Sequence, residues 1–455
     1  KVPGGGKGMA EKIEEYIETG RIEEYQAMKK ELPMDIDNLS AVEGVGPKGI
    51  YKLYKELGIR NLGDLEKAAK SGKIKNLEGF GEKSEGKILR GIEFLKKHSG
   101  RYVLGFVLPE IRAIAERLDK NPHTDKVVVC GSVRRMQETI GDVDIVITSK
   151  KPEAVMSDFI KMPEVGRVLA HGPTKTNVKL VNGLEVDVQV VPPESFGAAI
   201  QYFTGDKNHN VELRKIAIEK GFKLNEYGLF QNADLRGSKR RSTRKEIMVA
   251  GKTEEEIYQK LGMDYIEPEL RTASGEIESA QNHKLPKLIG YNDLMGDLQI
   301  QTDWTDGENS IEEMAEAASD AGLEYICITD HTKSLAMTGG SDEKKLEKQM
   351  KTIDEINRKL RVKSPAFVKA SSGKQKFMVL KGAEVNIMKD GSLDIDDKTL
   401  VELDVVGAAV HSLFNLSKSD QTRRVIKAME NPNVDILFHP TGRLINRRPA
   451  FEIDM

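Results

Sequence analysis

Three aspartates with the same local setting are the residues of this sequence most able to do chemistry. Asp142 and Asp144 alternate with apolar residues in the stretch DVDIVI, and Asp187 does so in EVDVQV. Side chains two positions apart on a strand leave the same face, so two neighbouring strands of this kind would gather three carboxylates. Clustered carboxylates repel one another unless hard cations such as Mg²⁺ or Mn²⁺ hold them, and two ions so held assist phosphoryl transfer. Taken alone, an Asp pair also fits a turn or a solvated strand edge.

The segment before the Asp pair favours the chemical interpretation. Gly131 and Ser132 follow the apolar run VVVC, and Arg134 and Arg135 come next. A strand, a Gly-Ser turn and the backbone N–H groups that follow can hold a triphosphate. The planar fork of an arginine matches phosphate oxygens. Together with the third Asp, this arrangement predicts nucleotidyl transfer.

Length and composition set the frame for this site. The 455 residues are 38% hydrophobic and 31% charged, which is typical of several globular domains, and no run is long and apolar enough to span a membrane. We expect a cytoplasmic monomer, with Cys130 and Cys327 as core thiols. A net charge of −2 requires any DNA affinity to come from local patches. The chain begins with Lys1, inside a repeat, so we expect it to be a fragment.

A short glycine pattern recurs near the N-terminus as VPGGG at 2–6, VEGVG at 42–46 and LEGFG at 77–81. A Lys/Glu-rich helical segment follows each copy, and the start of such a helix is a natural phosphate site. The pattern resembles the helix-hairpin-helix motif, which grips DNA phosphates, although plain helix connectors remain an alternative. The resemblance implies DNA contacts at Gly44, Gly46, Lys48, Gly79, Gly81 and Lys83. It also implies a Na⁺ or K⁺ ion on the carbonyls of Ser40, Val42 and Val45.

The whole chain resembles a family X DNA polymerase of the bacterial and archaeal type, with a C-terminal PHP domain. The segments YFTG at 202–205 and KNHNVELR at 207–214 match that family. The resemblance implies that Asp142 and Asp144 bridge two ions, that Asp187 binds the catalytic one, and that Arg214 contacts the template strand. The substrates are then gapped or primed DNA and a dNTP. It assigns nucleotide binding to Gly131, Ser132, Arg135, Gly141, Tyr202, Phe203, Gly205 and Asn210.

The first domain of this family can also remove a sugar phosphate through a lysine Schiff base. Lys12 matches the position of that lysine. A lone lysine on a helix is also typical of a solvated surface, so both interpretations stay open.

The C-terminal part contains apolar strand-like runs that precede metal-ligand residue types, separated by helical segments. This order resembles the PHP phosphoesterase barrel with its trinuclear metal site, and a β/α barrel gathers such residues at one face. Gln299 and Gln301 stand where the resemblance expects two histidines, and a neutral amide is a poor ligand for Zn²⁺ or Mn²⁺. We therefore expect an impaired nuclease, in which the remaining metal ligands could hold one metal ion. The remaining candidate ligands are Asp306, His331, Glu384, His411 and His439.

The predicted fold is multidomain α and α/β. It comprises a remnant helical domain at 1–34, a helix-hairpin-helix domain at 35–100, a nucleotidyltransferase palm at 101–195, a nucleotide-selecting subdomain at 196–265, a linker at 266–290 and an incomplete barrel at 291–455. The leading function is template-directed, short-gap DNA repair synthesis. The alternatives are a template-independent nucleotidyltransferase, a PHP 3′-5′ exonuclease or phosphoesterase, and a non-catalytic DNA-binding protein.

Overall fold

The structure is a computed structural model that divides into two compact units, residues 1–287 with 445–447 and residues 288–444 with 448–455. It describes residues 34–40, 42, 45–98, 100–231, 247–362 and 377–455, together with Lys12, Glu15 and Thr19. Within these ranges no helix has both the length and the apolar character needed to cross a membrane.

The first part of unit one is helical. It contains α1 (Ile36–Ser40), α2 (Pro47–Leu57), α3 (Leu62–Lys70) and α4 (Glu82–His98). Proline opens α2, where its missing N–H costs nothing, and Gly58 ends α2 in the left-handed conformation. The helices surround an apolar core that includes Leu39, Val42, Val45, Ile50, Leu53, Leu65, Ile74, Ile88 and Ile92.

The centre of unit one is a mixed five-stranded sheet in the order β2-β4-β7-β6-β5. Its strands are β2 (Thr124–Val129), β4 (Asp142–Ser149), β5 (Val165–His171), β6 (Lys175–Leu180) and β7 (Glu185–Val190). A separate two-stranded pair joins β1 (Tyr102–Val103) to β3 (Thr139–Ile140). The helices here are α5 (Leu104–Asp119), α6 (Gly131–Arg134) and α7 (Pro152–Phe159).

Strand alternation decides what each face of this sheet carries. The odd-numbered β4 residues Val143, Ile145 and Ile147 share a core with α5 and α7. The even-numbered Val146 instead packs with Phe196 and its neighbours. Because side chains alternate, the aspartates of β4 lie on the second face.

The remainder of unit one forms a smaller subdomain around a three-stranded antiparallel sheet. Its elements are α8 (Phe196–Thr204), α9 (Lys207–Glu219), β8 (Phe222–Asn225), β9 (Gly228–Gln231), β10 (Ile247–Ala250), α10 (Glu254–Lys260) and α11 (Glu276–Gln281).

The prediction of a polar linker at 266–290 is wrong over most of its length. Residues Pro268–Leu270 form a 3₁₀ turn and residues 276–281 form α11. Ile266, Ile277 and Ala280 are buried in the core of the smaller subdomain.

Unit two is built on a sheet of five parallel strands in chain order. The strands are β11 (Gly296–Ile300), β12 (Tyr325–Ile328), β13 (Met378–Asn386), β14 (Val405–Ala409) and β15 (Ile436–Leu437), and the intervening helices are α12 (Ile311–Asp320), α13 (Glu343–Val362), α14 (Asp397–Leu400) and α15 (Lys418–Met429). The sheet curls into a half-barrel, as the predicted fold class requires. Glu384 lies within β13 and not after it, a correction to the expected strand-end position.

Candidate active site

The three aspartates lie on two adjacent parallel strands. In the register of β4 and β7, Asp144 stands directly opposite Asp187, and Asp142 opposite Glu185. The prediction that these strands are neighbours is confirmed. The Oδ1 atom of Asp187 is buried and has no hydrogen-bond partner among the described residues, with Lys175 Nζ 3.9 Å away. Lys175 is therefore close enough for an ion pair but not for a hydrogen bond, and this buried carboxylate oxygen has room for a further positively charged partner.

The electrostatics of the cluster point the same way. Burial, followed by repulsion from Asp142 and Asp187, raises the pKa of Asp144 to about 7. Carboxylates this close cannot all ionise at low cost without a positive charge between them. The residues therefore fit divalent metal ions, because hard cations take carboxylate oxygens as ligands.

A glycine allows the phosphate-side turn to approach the aspartates. Gly131 opens α6 with a φ of +63°, and a Cβ at this position would lie 3.0 Å from Asp144 Oδ2. A side chain here would meet both a strained backbone and a steric contact. On the other side of the same turn, Arg135 donates a hydrogen bond from Nη1 to the carbonyl of Thr204 at the end of α8. The turn thus lies between the carboxylates and α8.

The predicted nucleotide-binding residues share one cleft of about 560 Å³. All eight contribute to its wall, together with Asp142, Asp144 and Arg214. Asp187, on the neighbouring strand, is not one of the residues that form this wall. Sequence reasoning missed three polar residues that also line the cleft: Arg101, Gln137 and Lys207. Arg101 donates hydrogen bonds to the hydroxyl and carbonyl of Thr139.

The other wall of the cleft comes from α8 and α9. The rings of Tyr202 and Phe203 meet edge to face with centroids 5.2 Å apart. Asn210 donates from Nδ2 to the Tyr202 carbonyl at 2.7 Å and accepts from Gln201 Nε2 at 2.7 Å. Arg214 donates from Nε to the Asn210 carbonyl at 3.1 Å. These bonds order the side chains assigned to base and template contact.

A buried ionic network underlies this wall. Glu254 accepts from Arg134 at 2.6 Å and from Arg271 at 2.7 Å, while Arg134 also donates to the Thr204 hydroxyl at 2.8 Å. Burial opposes ionisation of Glu254, but the two guanidinium groups outweigh it and hold the pKa of Glu254 below its ordinary value. The network links α6 to α10, so it joins the phosphate-side turn to the smaller subdomain. No motif of the sequence indicated it.

A histidine with two partners completes the support of α9. His209 is fully buried, with Nδ1 2.8 Å from Glu276 Oε1 and Nε2 3.0 Å from the Tyr258 hydroxyl. Burial is the main cause that lowers the pKa of His209. The neutral ring can donate to the carboxylate and accept from the phenol at the same time.

The predicted hairpin residues occupy helix starts in the helical part. Lys48 and Lys83 are exposed in the first turns of α2 and α4. Gly79 has a φ of +84°, and the Val42 carbonyl accepts from the Val45 N–H at 3.1 Å. Gly44 lies outside the described residues. Lys12 is helical and half-buried, but most of its surroundings are also outside them.

The candidate ligands of unit two converge on Glu384. Its Oε1 atom lies 2.8 Å from His411 Nε2 and 2.6 Å from His439 Nε2. The ligand atoms of His331, Glu384 and His411 lie within 4.8 Å of one another, and His331 Nε2 is 3.7 Å from Asp306 Oδ1. Burial opposes ionisation, yet hydrogen bonds from the imidazoles hold the pKa of Glu384 well below its ordinary value.

The glutamines that replace the expected histidines contact the same carboxylate. Gln299 and Gln301 each donate from Nε2 to Glu384 Oε2 at 2.9 Å. The sequence therefore located this cluster, but not the hydrogen bonds through which the two amides join it.

Four family models match the chain in the order of these elements. They are a SAM-like helix-hairpin-helix tandem at 36–93, the DNA polymerase beta palm at 108–189, the DNA polymerase beta thumb at 199–272 and the PHP domain at 297–443.

Curated relatives agree with the family models. The DNA polymerase/3'-5' exonuclease PolX of Bacillus subtilis is 36% identical over 457 residues, covering 99% of this chain and 75% of that protein. DNA polymerase lambda of Rattus norvegicus is 26% identical over 59% of this chain and 47% of that protein. A crystal structure of Leishmania infantum polymerase beta in a ternary P/T complex is 25% identical, covers 52% of this chain and 97% of that one, and gives a TM-score of 0.32.

The carboxylate cleft and the half-barrel together define a DNA polymerase class with an attached PHP domain. The chain belongs to the family X DNA polymerases, the PHP-containing group that includes PolX. Enzymes of this family and PHP domains depend on metal ions.

Proposed function

We propose that the cleft adds a dNMP to a primer 3′-hydroxyl in short gaps of duplex DNA, under the direction of a template. The observation that carries this proposal is the adjacency of Asp144 and Asp187 across β4 and β7, beside Asp142 and the glycine turn. Two Mg²⁺ ions, or Mn²⁺ in their place, fit the three carboxylates and would supply Lewis-acid stabilisation of the attacking and leaving oxygens.

The residues of the chain have distinct tasks in this reaction. The carboxylates of Asp142, Asp144 and Asp187 would hold the divalent ions next to the α-phosphate that the primer 3′-hydroxyl attacks. Ser132 and Arg135, with the N–H groups of α6, neutralise the remaining phosphates of the dNTP. The sugar of the dNTP would lie against Tyr202, Phe203 and Gly205, and the base would contact Asn210. Because little covalent chemistry falls to the protein, positioning and electrostatics supply the rate.

The helical part would bind the DNA backbone on either side of the gap. Exposed Lys48 and Lys83 at the starts of α2 and α4 support contact with phosphates, since helix N-termini favour anions. Such contacts carry no sequence information, which suits a repair enzyme. A monovalent ion on the hairpin carbonyls and a lyase reaction at Lys12 remain proposals that rest on the family resemblance.

A gap-filling assay tests the proposed reaction. A one-nucleotide gap with each templating base in turn is incubated with a single dNTP and Mg²⁺ or Mn²⁺. We expect Asp187→Ala to abolish extension while its affinity for the gapped DNA stays within about twofold of wild type. The control Asp125→Asn changes an exposed carboxylate of β2 and should leave extension intact.

The same assay separates the rival functions. Incorporation that ignores the templating base, or a preference for single strands, would identify a template-independent transferase. Normal extension by Asp187→Ala would refute the carboxylate site. Binding without any incorporation by the wild type would identify a DNA-binding protein.

We infer that unit two is an impaired nuclease. Gln299 and Gln301 point amide N–H groups at Glu384, and such groups are hydrogen-bond donors and not metal ligands. We expect little trimming of DNA 3′ ends when Mn²⁺ is added to the pure protein. Robust trimming that disappears in the His331→Ala/Glu384→Ala double variant would contradict this inference.

A further inference from the structure

Gln201 is a polar residue in α8, a helix whose other buried side chains are mostly apolar. It is only 2% exposed. Burying a primary amide costs free energy unless the amide finds hydrogen-bond partners. The Nε2 of Gln201 donates to Asn210 Oδ1 at 2.7 Å, and Asn210 lines the nucleotide cleft. The buried amide of α8 is therefore bonded to a side chain to which the proposed function gives the base contact.

Two neighbours determine which way the Asn210 amide faces. The carbonyl of Tyr202, in the last turn of α8, lies 2.7 Å from Asn210 Nδ2. A carbonyl oxygen can only accept a hydrogen bond, so the Asn210 atom that faces it must be the nitrogen. The Asn210 oxygen then lies on the other side of the amide, where Gln201 Nε2 supplies a donor. Reversing the Asn210 amide would bring two oxygens together at Tyr202 and two nitrogens together at Gln201.

The backbone around Asn210 is held separately. The side chain of Asp206 caps α9 and accepts from the His209 N–H at 3.1 Å. His209 is fully buried and bonded at both ring nitrogens. The torsion that turns the amide of an asparagine has no sharp preference of its own. Hydrogen bonds, and not the backbone, therefore decide how the Asn210 amide is turned.

An amide held in this way offers the cleft a donor and no acceptor. Asn210 Nδ2 carries two hydrogens, and the Tyr202 carbonyl takes one of them. Within the described part of the chain Nδ2 has no second acceptor, while the amide oxygen is occupied by Gln201. Purine N3 and pyrimidine O2 are acceptors on the minor-groove edge of the base pairs. A single donor therefore suits all four nucleotides, and it responds to the position of that edge and not to the identity of the base.

We propose that Gln201 is a positioning residue for nucleotide selection, which turns the Asn210 amide so that its free N–H meets the minor-groove acceptor of the incoming base. This role rests on the proposed function and adds to it the side chain that sets the donor. Without Gln201, the Asn210 oxygen loses its partner and the amide is free to turn. The oxygen can then accept from the amino group of guanine, which is a donor in the minor groove. Loss of Gln201 should therefore weaken the response to the minor-groove acceptor.

Removing the acceptor from the nucleotide tests this role. The analogue 3-deaza-dATP has a C–H group in place of N3 and keeps its pairing edge, so it is compared with dATP in the filling of a gap opposite thymine. In the wild type we expect kcat/KM to be about tenfold lower for the analogue, the effect of one hydrogen bond. Gln201→Met keeps the length of the side chain and removes the donor, so this ratio should fall to about threefold or less, mainly because KM for dATP rises. The control Ile200→Val trims a neighbouring apolar residue of α8 and should keep the wild-type ratio.

The possible outcomes separate the role of Gln201 from the polymerase reaction itself. A wild type that incorporates neither nucleotide would contradict the proposed function. A wild type that uses both nucleotides equally well would overturn the role of Gln201 and leave the polymerase reaction in place, and this comparison needs no variant to fold. A Gln201→Met protein that is folded by circular dichroism and keeps the wild-type ratio would also overturn it. Asn210→Ala should bring the ratio close to one, and a ratio that stays at the wild-type value would show that another group meets N3.

Discussion

Replacing Asp144 with asparagine should stabilise the metal-free protein and at the same time abolish nucleotide addition. In the folded protein, burial and two neighbouring carboxylates disfavour the ionised form of Asp144 and raise its pKa to about 7. Asparagine has nearly the same shape and no charge. It would remove the repulsion between Asp144 and its two neighbouring carboxylates, together with one of the ligands proposed for the metal ions.

The size of the gain follows from the pKa. A rise from 3.8 to about 7 corresponds to roughly 4 kcal/mol at 1.36 kcal/mol per pKa unit, which is a ceiling. Solvent and counterions relax around a partly accessible cluster, so we expect about 1–3 kcal/mol. For domains of about 150–250 residues, 1 kcal/mol moves the unfolding temperature by about 2–4 °C, so the larger unit one should show a rise of at most about 2–12 °C.

Proton linkage determines how the stability gained by Asp144→Asn changes with pH. The folded-state pKa of Asp144 lies above the unfolded value, so the ionised carboxylate is a cost to the folded state. That cost grows as the pH rises from about 4 to about 7 and is constant above this range. The gain from Asp144→Asn should therefore be small at pH 4 and full at pH 8.

Thermal unfolding in the presence of a chelator measures this effect at both pH values. Asp125→Asn, which removes an exposed carboxylate from β2, should leave the unfolding temperature unchanged. Primer extension with Mg²⁺ shows the loss of activity in Asp144→Asn. An Asp144→Asn protein that is no more stable than wild type at pH 8, or equally stabilised at pH 4, would refute the reasoning.

Three further predictions follow from the site. Gly131→Ala should lower kcat for gap filling at least tenfold and leave the affinity for DNA unchanged. The cause is a Cβ that would lie 3.0 Å from Asp144 Oδ2, on a backbone with a φ of +63°. Steady-state extension measures kcat, and fluorescence anisotropy measures the affinity for DNA. Glu254→Gln should lower the free energy of unfolding by about 3–5 kcal/mol, because it leaves the buried Arg271 and the partly buried Arg134 without their counter-charge. An unchanged urea midpoint would contradict this. His209→Phe should lower the free energy of unfolding by about 2 kcal/mol, because Glu276 and Tyr258 lose their hydrogen bonds to the imidazole. It should also raise KM for the dNTP more than it lowers kcat. In His209→Asn, KM should return part of the way to the wild-type value.

The carboxylate site could be predicted because its signal is local. The two-residue period of a strand places Asp142 and Asp144 on one face whatever the rest of the fold does. The same period applies to Asp187, and neighbouring parallel strands supply the register that joins the two segments. The roles of these residues as metal ligands remain predictions until metal binding is measured.

Residues held by distant partners left no such signal. Arg101, Gln137 and Lys207 reach the cleft from separate elements. Arg101 and Gln137 stand in no repeated or spaced motif, and Lys207 opens the segment at 207–214 without a role that the residue types of that segment indicate. Glu254 and Arg271 likewise become a buried pair only when α10 and the following turn meet. Their types alone are typical of a solvated surface.

The linker error has a related cause. The segment 266–290 is rich in polar residues, and polarity without periodicity predicts a loop. Only two apolar residues of α11, Ile277 and Ala280, enter the core, which is too few to establish a helical pattern. Glu276 is one of the polar residues that suggested a linker, yet it is buried against His209.

The most direct test of the central claim is anomalous diffraction from Mn²⁺ in crystals of the protein with one-nucleotide-gapped DNA and a non-hydrolysable dNTP. We predict two manganese peaks in the cleft, each about 2.0–2.3 Å from carboxylate oxygens, with Asp142 and Asp144 shared by both and Asp187 bound to the one nearer the primer end. A bound nucleotide with no manganese at these carboxylates would contradict the account, and so would manganese ions that are not coordinated by Asp187.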